Sequence, residues 1–446
     1  MIRFVDLFAG IGGIRLGFQQ ATQGLEIATE CVLSSEIDRF AQQTYSLNFG
    51  EHPSGDIYKI QQYPDFDFLL AGFPCQPFSY AGKQKGFGDT RGTLFFEIER
   101  LLETHSPKAF LLENVRGLTT HDKGRTLKTI VEKLEGLGYG ATCLLLNSSN
   151  FDVPQNRVRV YIVGIKGQKP KMTLQSDRGA TDSHHYKRIR YASDLISEPR
   201  GTVVRDILEP NPSSSYDCSE FFSARLERVL AQKRLNINGV RLIDFRNGNS
   251  IHSWELGIKG QCTDDEIALM NSLIANRRKK EFGTHQDGKS LTKQQIESFY
   301  KHPQLTTTLE NLVKKRYLRI REGLYNPVSG NMSFEVFKFL DLDGISITLV
   351  TSDAHKLGVQ HNGRIRHITP RECARIQGYP DSFFHHPIDL HAYRQFGNSV
   401  SVPVVKAVVH DLLVNNPCLF PQQSSKIRLP RRKISEEKHK IPEITA

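Results

Sequence analysis

At 446 residues and ~100–200 residues per domain, the chain has length enough for a large core and two or three domains, and it carries a net charge of +11. Its seven cysteines, at 31, 75, 143, 218, 262, 373 and 418, form no CxxC pair and no cluster with histidine, which excludes a disulfide framework and gives no support for a structural zinc site. The N-terminus enters a strand pattern at once and no apolar run approaches the ~18–20 residues needed to span a bilayer, so a soluble protein of a reducing cytoplasm, with no membrane partner, is expected.

The first third alternates strand and helix. Residues 3–8 read as a short apolar strand, and Ile14, Leu16 and Phe18 begin a helix after a glycine-rich turn. Residues 31–35 read as a strand, 39–47 as a helix, 66–71 as a strand and 94–102 as a helix. Residues 109–112, 127–137, 141–146 and 158–165 continue the alternation. This order predicts βαβ units and a parallel sheet covered on both faces. Ligands of such sheets sit beyond the carboxyl ends of the strands, where the turn at 9–13 and the loop at 72–79 both fall.

The turn Phe8-Ala9-Gly10-Ile11-Gly12-Gly13 lets the backbone approach a ligand and change direction without a Cβ clash. Counting GxGxxG from Gly10 puts Arg15 where the third glycine belongs, so a dinucleotide fingerprint, and with it a nicotinamide oxidoreductase, is not supported. Glu36 ends the second strand, where a carboxylate can accept both hydroxyls of a ribose, and Asp56 follows Gly55 before the third. An adenosine-containing ligand without a pyrophosphate suits these residues. A tight turn beside two ordinary surface acids is the competing reading.

Residues 72 to 79 read Gly-Phe-Pro-Cys-Gln-Pro-Phe-Ser and hold Cys75 between two prolines at the end of the third strand. That placement suits a nucleophile, although free cysteine is also among the most commonly buried residues, and the octapeptide alone supports both readings. Glu113 ends the apolar run Leu111-Leu112-Glu113 on the same expected sheet edge, partly desolvated and able to hold or deliver a proton. Arg157 and Arg159, two apart on a strand, project to one face as a pair anchoring an anion would.

Taken together, these motifs resemble a DNA (cytosine-5)-methyltransferase of the bacterial restriction-modification type. The resemblance is carried, in family order, by residues 6–13, 72–79, 91–95, 113–115 and 155–164, then by 370–380 and 395–400. It covers roughly residues 1–165 and 366–410, and weakly 202–208. It implies an α/β fold: a Rossmann-like S-adenosylmethionine-dependent methyltransferase sheet with a second, smaller target-recognition domain. Residues 1–208, completed by 393–420, would form the catalytic and cofactor-binding domain, and 209–392 the recognition domain. The tail 421–446 lacks apolar periodicity and is expected to be disordered and basic.

The family's chemistry assigns roles. Cytosine C5 is too poor a nucleophile to take a methyl group unaided, so a thiolate adds to C6 and converts the ring into an enamine. Cys75 matches that nucleophile and Glu113 the residue acting at N3. Arg159 matches the arginine near the base and the thiolate, and Arg157 its neighbour that contacts phosphate and shapes the pocket. The cofactor is S-adenosyl-L-methionine, leaving as S-adenosyl-L-homocysteine, with no metal. After transfer a base removes the C5 proton and the cysteine leaves; no side chain stands out for that base, and water is a candidate. Phe8 matches the aromatic stacked on adenine, Gly10 and Gly12 the turn beneath the methionine part, Glu36 the ribose ligand and Asp56 the adenine amino contact. Pro74, Leu94, Asn398 and Ser399 match further wall positions. Ile37 stands where some relatives have tryptophan, so aliphatic packing would cover that face of the adenine. The base must be flipped out of the duplex, and residues 79–92, with glycines at 82, 86, 88 and 92, could close over DNA.

Charge separates the two parts of the chain. Residues 1–164 carry 16 Lys and Arg against 18 Asp and Glu, whereas residues 165–446 carry 43 against 30, the balance of a surface for a polyanion. Basic clusters recur at 277–280, 314–321 and 361–367, where the family holds a domain that reads bases in the major groove while cations hold phosphates. Thr348-Leu349 resembles a pair found near the end of that domain. Thr369-Pro370-Arg371-Glu372 is a helix start with a capping box, and Cys373 within it reads as a packed thiol. The expected partner is double-stranded DNA, bound by a monomer, with a cognate restriction endonuclease acting on the same site. The alternatives are a tRNA cytosine-5 methyltransferase of the same superfamily, against which the long basic insert argues, and a catalytically inactive DNA-binding regulator, against which the filled catalytic positions argue.

Overall fold

The alternating runs of the first third fold as β1 (Ile2–Leu7), α1 (Gly13–Gly24), β2 (Thr29–Ser35), α2 (Arg39–Phe49), β3 (Phe68–Gly72), α3 (Leu94–His105), β4 (Ala109–Val115), α4 (Arg125–Gly136), β5 (Tyr139–Asn147) and β6 (Val158–Lys166). The structure is a computed structural model that describes residues 1–73, 94–176, 202–245, 250–283, 289–330 and 333–419. Cys75, Pro74, the glycine-rich segment 79–92 and the tail 421–446 therefore lie outside the described residues.

The strands form one sheet in the order β2-β1-β3-β4-β6-β5. β1 pairs in parallel with β2 and β3, and β3 with β4. The expectation of a wholly parallel sheet is corrected at β6, which runs antiparallel to both β4 and β5. The physical reason is the connection between β5 and β6, which holds one short helical turn, Ser148–Asn150. A parallel return needs about a dozen or more residues, usually including a helix. The consequence reaches the site: the first residues of β6 lie beside the last residues of β4, with Val115 opposite Arg159.

Both faces of the sheet are covered. On one, the rings of Phe4 and Phe68 flank Phe18 of α1 with centroids 4.8 and 4.9 Å away, and the valines of a C-terminal helix complete the layer. On the other, Phe95, Ile98 and Leu101 of α3 and Ile130 and Leu134 of α4 pack on Leu69, Phe110 and Ile162. Each fully buried side chain of this kind contributes ~1.5–3 kcal/mol.

The basic part continues with α5 (Val204–Ile207), α6 (Glu220–Lys233), β7 (Arg241–Leu242), β8 (Ser250–Ile251), α7 (Asp264–Asn276), α8 (Lys293–Glu297), α9 (Leu305–Lys314), β9 (Leu318–Arg321), β10 (Leu324–Pro327), β11 (Lys338–Phe339), β12 (Leu357–His361) and β13 (Arg364–His367). It has two cores of its own, one around Phe222, Leu226 and Phe334, the other around Trp254, Leu269 and Leu309. The chain ends with α10 (Pro370–Ile376), α11 (Asp389–Asn398) and α12 (Val402–Asn415). A further core joins Ile11 and Ala41 of the first third to Leu349, Cys373, Phe396 and Val402, so packing is continuous across the boundary expected at residue 392. Among the described residues no helix is long and apolar enough to cross a membrane.

Candidate active site

Beyond the carboxyl ends of β1 and β3, where Leu7 and Ala71 pair, the backbone turns through left-handed conformations at Phe8 (φ 54°), Gly10 (φ 56°) and Gly12 (φ 85°). Such a conformation is cheap for glycine and uncommon for phenylalanine, and outliers of this kind gather at ligand sites. The turn is held from across the sheet edge: the Gly10 N–H donates to Glu36 Oε2 at 2.8 Å, and the Asp38 N–H to Oε1 at 2.8 Å. Burial raises the Glu36 pKa while these N–H donors oppose it. The Glu36 N–H donates to the Ser54 carbonyl at 2.9 Å, drawing in residues 54–56, and Asp56 accepts the Tyr58 N–H at 3.0 Å.

These groups open on a cavity of about 950 Å³, lined by Phe8, Gly10, Glu36, Ile37, Asp56, Leu94, Glu113, Arg157, Arg159, Asn398 and Ser399. Every described residue expected at the cofactor or the base is there except Gly12. That glycine supports the turn from behind, since a Cβ on it would meet the Phe49 ring at 2.2 Å. Ile37 is 76% exposed at the cavity wall, an apolar surface that a ligand ring could cover. Phe40 and His391, stacked with centroids 3.6 Å apart, line the cavity together with Arg394. Sequence reasoning missed these three, because α2 and α11 meet only through tertiary packing and neither carries a local signal.

Arg15, which stands where a dinucleotide fingerprint has glycine, fills the space behind the turn. Its guanidinium donates to the Tyr45 hydroxyl at 2.8 Å, pairs with Glu51 at 2.5 Å and lies over the Phe49 ring. Beside it, burial pushes the Asp6 carboxyl up to about 7.

At the cavity's other end Glu113, 9% exposed, pairs through Oε1 with Arg159 Nε at 3.2 Å. Burial raises its pKa, and the nearby Arg159 and Arg157 pull in the opposite direction. Its neighbour Asn114 donates from Nδ2 to the Phe73 carbonyl at 2.9 Å, which fixes the last described residue before Pro74 and Cys75. The antiparallel setting of β6 is what allows Arg159, near the start of its strand, to meet an acid near the end of another.

The expectation that Arg157 and Arg159 share an anion is corrected for Arg157. It is 2% exposed and its guanidinium donates to the main-chain carbonyls of Leu349 (2.8 Å), Gly397 (3.4 Å) and Ser399. A buried cation needs acceptors close by, and here three carbonyls converge on its two terminal nitrogens. Gln155 works alongside: its Oε1 accepts the Leu349 N–H at 3.0 Å and its Nε2 donates to Gln377 Oε1 at 3.0 Å. Thr348 donates its hydroxyl to the Asn156 carbonyl at 2.6 Å. The Thr348-Leu349 pair is thus stitched to Gln155, Asn156 and Arg157. Asn398 accepts from the Thr351 hydroxyl, and Ser399 bonds the Tyr379 hydroxyl.

The family model for C-5 cytosine-specific DNA methylases matches residues 2–413. Among curated relatives, the Type II methyltransferase M.HgiCI of Herpetosiphon aurantiacus is 65% identical over 412 residues, covering 92% of this chain and 98% of its own. The Type II methyltransferase M.BanI of Aneurinibacillus aneurinilyticus is 64% identical over 415 residues, covering 93% and 96%. Among solved structures, a candidate DNA modification methyltransferase encoded within a prophage (E. coli) superposes with a TM-score of 0.50 at 20% identity, over 93% of this chain and 99% of the other, and so shares the fold.

Proposed function

This chain belongs to the C-5 cytosine-specific DNA methylase family, and from that premise we propose how its own residues carry out methyl transfer. It is a DNA (cytosine-5)-methyltransferase of the Type II restriction-modification kind, and use of S-adenosyl-L-methionine follows from the family. When bound, S-adenosyl-L-methionine supplies an electrophilic methyl group and leaves as S-adenosyl-L-homocysteine.

The cavity fits that group. Each Glu36 oxygen accepts a backbone N–H, and a carboxylate has about four lone-pair sites, so acceptor capacity remains for the hydroxyls of a ribose. Phe8 and Ile37 supply apolar surface for the adenine, Asp56 an acceptor for its amino group, and Gly10 room for the methionine part. Leu94, Asn398 and Ser399 complete the wall, with Gly12 supporting the turn; Pro74 is assigned to the same wall by the family resemblance alone.

Cys75 is the nucleophile. Its thiolate forms a bond to C6 of the flipped cytosine, and the C5–C6 π electrons become available at C5 to take the methyl group. Loss of the C5 proton to water and departure of the thiolate then restore the double bond. Glu113 acts at N3, and its burial beside Arg159 is the observation that carries this reading, because desolvation raises the proton affinity of a carboxyl and so favours its sharing a proton with the ring. Arg159 orients that carboxyl, and Arg157, itself part of the pocket wall, ties that wall to the main chain at residues 349, 397 and 399. The substrate is double-stranded DNA, held by residues 209–392 as recognition domain, with 1–208 and 393–420 as catalytic domain. The chain acts in the cytoplasm as a monomer, and a cognate endonuclease cuts the same site when it is unmethylated.

The test is to incubate the protein with S-adenosyl-L-methionine and mixed-sequence duplex DNA and to map protected cytosines by bisulfite sequencing. Protection confined to one short sequence is expected; no protected cytosine would overturn the assignment. Cys75→Ala should abolish transfer while calorimetry still detects cofactor binding, and unchanged methylation by that variant would remove Cys75 from the mechanism.

A further inference from the structure

Cysteine and histidine do not cluster along the sequence, yet the fold brings one donor atom each from Cys218, Glu335 and His367 to within 4.8 Å of one another. All three are held in place by the backbone around them. The Cys218 N–H donates to the Ile365 carbonyl at 3.0 Å, and Asp217 bridges to Arg366, which sets the thiol against β13. His367 places Nδ1 2.9 Å from the His355 carbonyl, so Nδ1 carries the hydrogen and Nε2 keeps the lone pair. Glu335 accepts the Ser219 N–H at 2.9 Å on one oxygen and the Ser219 hydroxyl at 2.6 Å on the other. Each oxygen retains a further lone pair.

A histidine whose second nitrogen is tied to a carbonyl, and a carboxylate oriented by hydrogen-bond donors, are the outer-shell arrangements of metal ligands. Thiolate, imidazole and carboxylate together suit Zn²⁺, with bonds of ~2.0–2.3 Å, whereas Mg²⁺ and Ca²⁺ take oxygen. We propose that Cys218, Glu335 and His367 form a Zn²⁺ site that clips β13 to the segment leading into α6. Side-chain movement of about an ångström brings the three donors onto one ion, and water completes the tetrahedron. The ion fastens the segment before α6 to β13, residues about 150 apart in the chain. It stands apart from the methyl-transfer cavity, so this inference does not depend on the catalytic roles above.

The untagged full chain, produced with zinc in the medium and purified without chelator, should contain about one zinc per chain by mass spectrometry. After exchange, Co²⁺ should show a thiolate-to-metal charge-transfer band. Cys218→Ser and His367→Ala should each drop zinc below about a tenth of an equivalent, while Cys262→Ser keeps it. A wild-type protein without zinc and without the cobalt band overturns the proposal, as does a folded Cys218→Ser variant that retains the full equivalent. Should the variants fail to fold, the wild-type stoichiometry and the cobalt band decide by themselves.

Discussion

Glu113 shows how a single residue trades stability for chemistry. Burial raises its pKa above the ordinary glutamate value, with Arg159 and Arg157 opposing. A carboxyl whose folded pKa exceeds its unfolded one contributes stability below the unfolded pKa, and that contribution is lost as pH rises through the folded value. Glutamine does not titrate. Glu113→Gln is therefore expected to gain stability relative to the wild type as pH rises above the ordinary glutamate range, read by urea denaturation. Methyl transfer should fall by ~10²–10⁴-fold in the same variant. Identical pH dependence of the two proteins would reject a strained, buried acid at this position. The place of Glu113 was legible because an acid closing an apolar strand marks a sheet edge. The work of Arg157 was not, since the three carbonyls it holds belong to residues 349, 397 and 399.

At the scale of elements, α10 is the case in which local sequence was sufficient. Thr369 accepts the Glu372 N–H at 3.1 Å and Glu372 accepts the Thr369 N–H at 2.8 Å, closing the capping box that those residues spell. Tertiary structure adds a second use for the same carboxylate. Arg366, 1% exposed, donates to both oxygens of the fully buried Glu372, at 2.9 and 2.7 Å. This fork ties β13 to α10, and a charge left alone there is costly. Arg366→Met or Glu372→Leu should each destabilise by about 3–5 kcal/mol, while the double variant Arg366→Met/Glu372→Leu should lose clearly less than the sum of the single effects. Chemical denaturation of the three proteins measures the coupling, and strictly additive losses would mean the pair is not one unit. β6 is the opposite case: its apolar run was readable, but its direction depended on the length of the connection before it.

For the whole molecule, charge divides what packing joins. The part after residue 164 carries 43 Lys and Arg against 30 Asp and Glu, while the core around Ile11, Leu349 and Val402 binds the two parts into one body. A surface built to hold a polyanion releases counterions when it binds, so affinity for duplex DNA should fall ~10³–10⁵-fold between about 50 and 200 mM salt if six to ten phosphates are neutralised. Fluorescence anisotropy with a labelled duplex across that range reads the slope. A flat dependence would reject the basic part as the phosphate-holding surface.

The sequence by itself determined the sheet edge and its chemistry, through apolar strands ending in Glu36 and Glu113, the glycine turn and the capping box at Thr369. These are local signals, set by the periods of strand and helix and by which residues tolerate a turn. Only the tertiary structure decided that β6 runs antiparallel and brings Arg159 to Glu113, that Arg157 braces the C-terminal segment, and that Cys218 meets Glu335 and His367. Each of those joins residues far apart in the chain, and a pairing of that kind leaves no period or spacing to read.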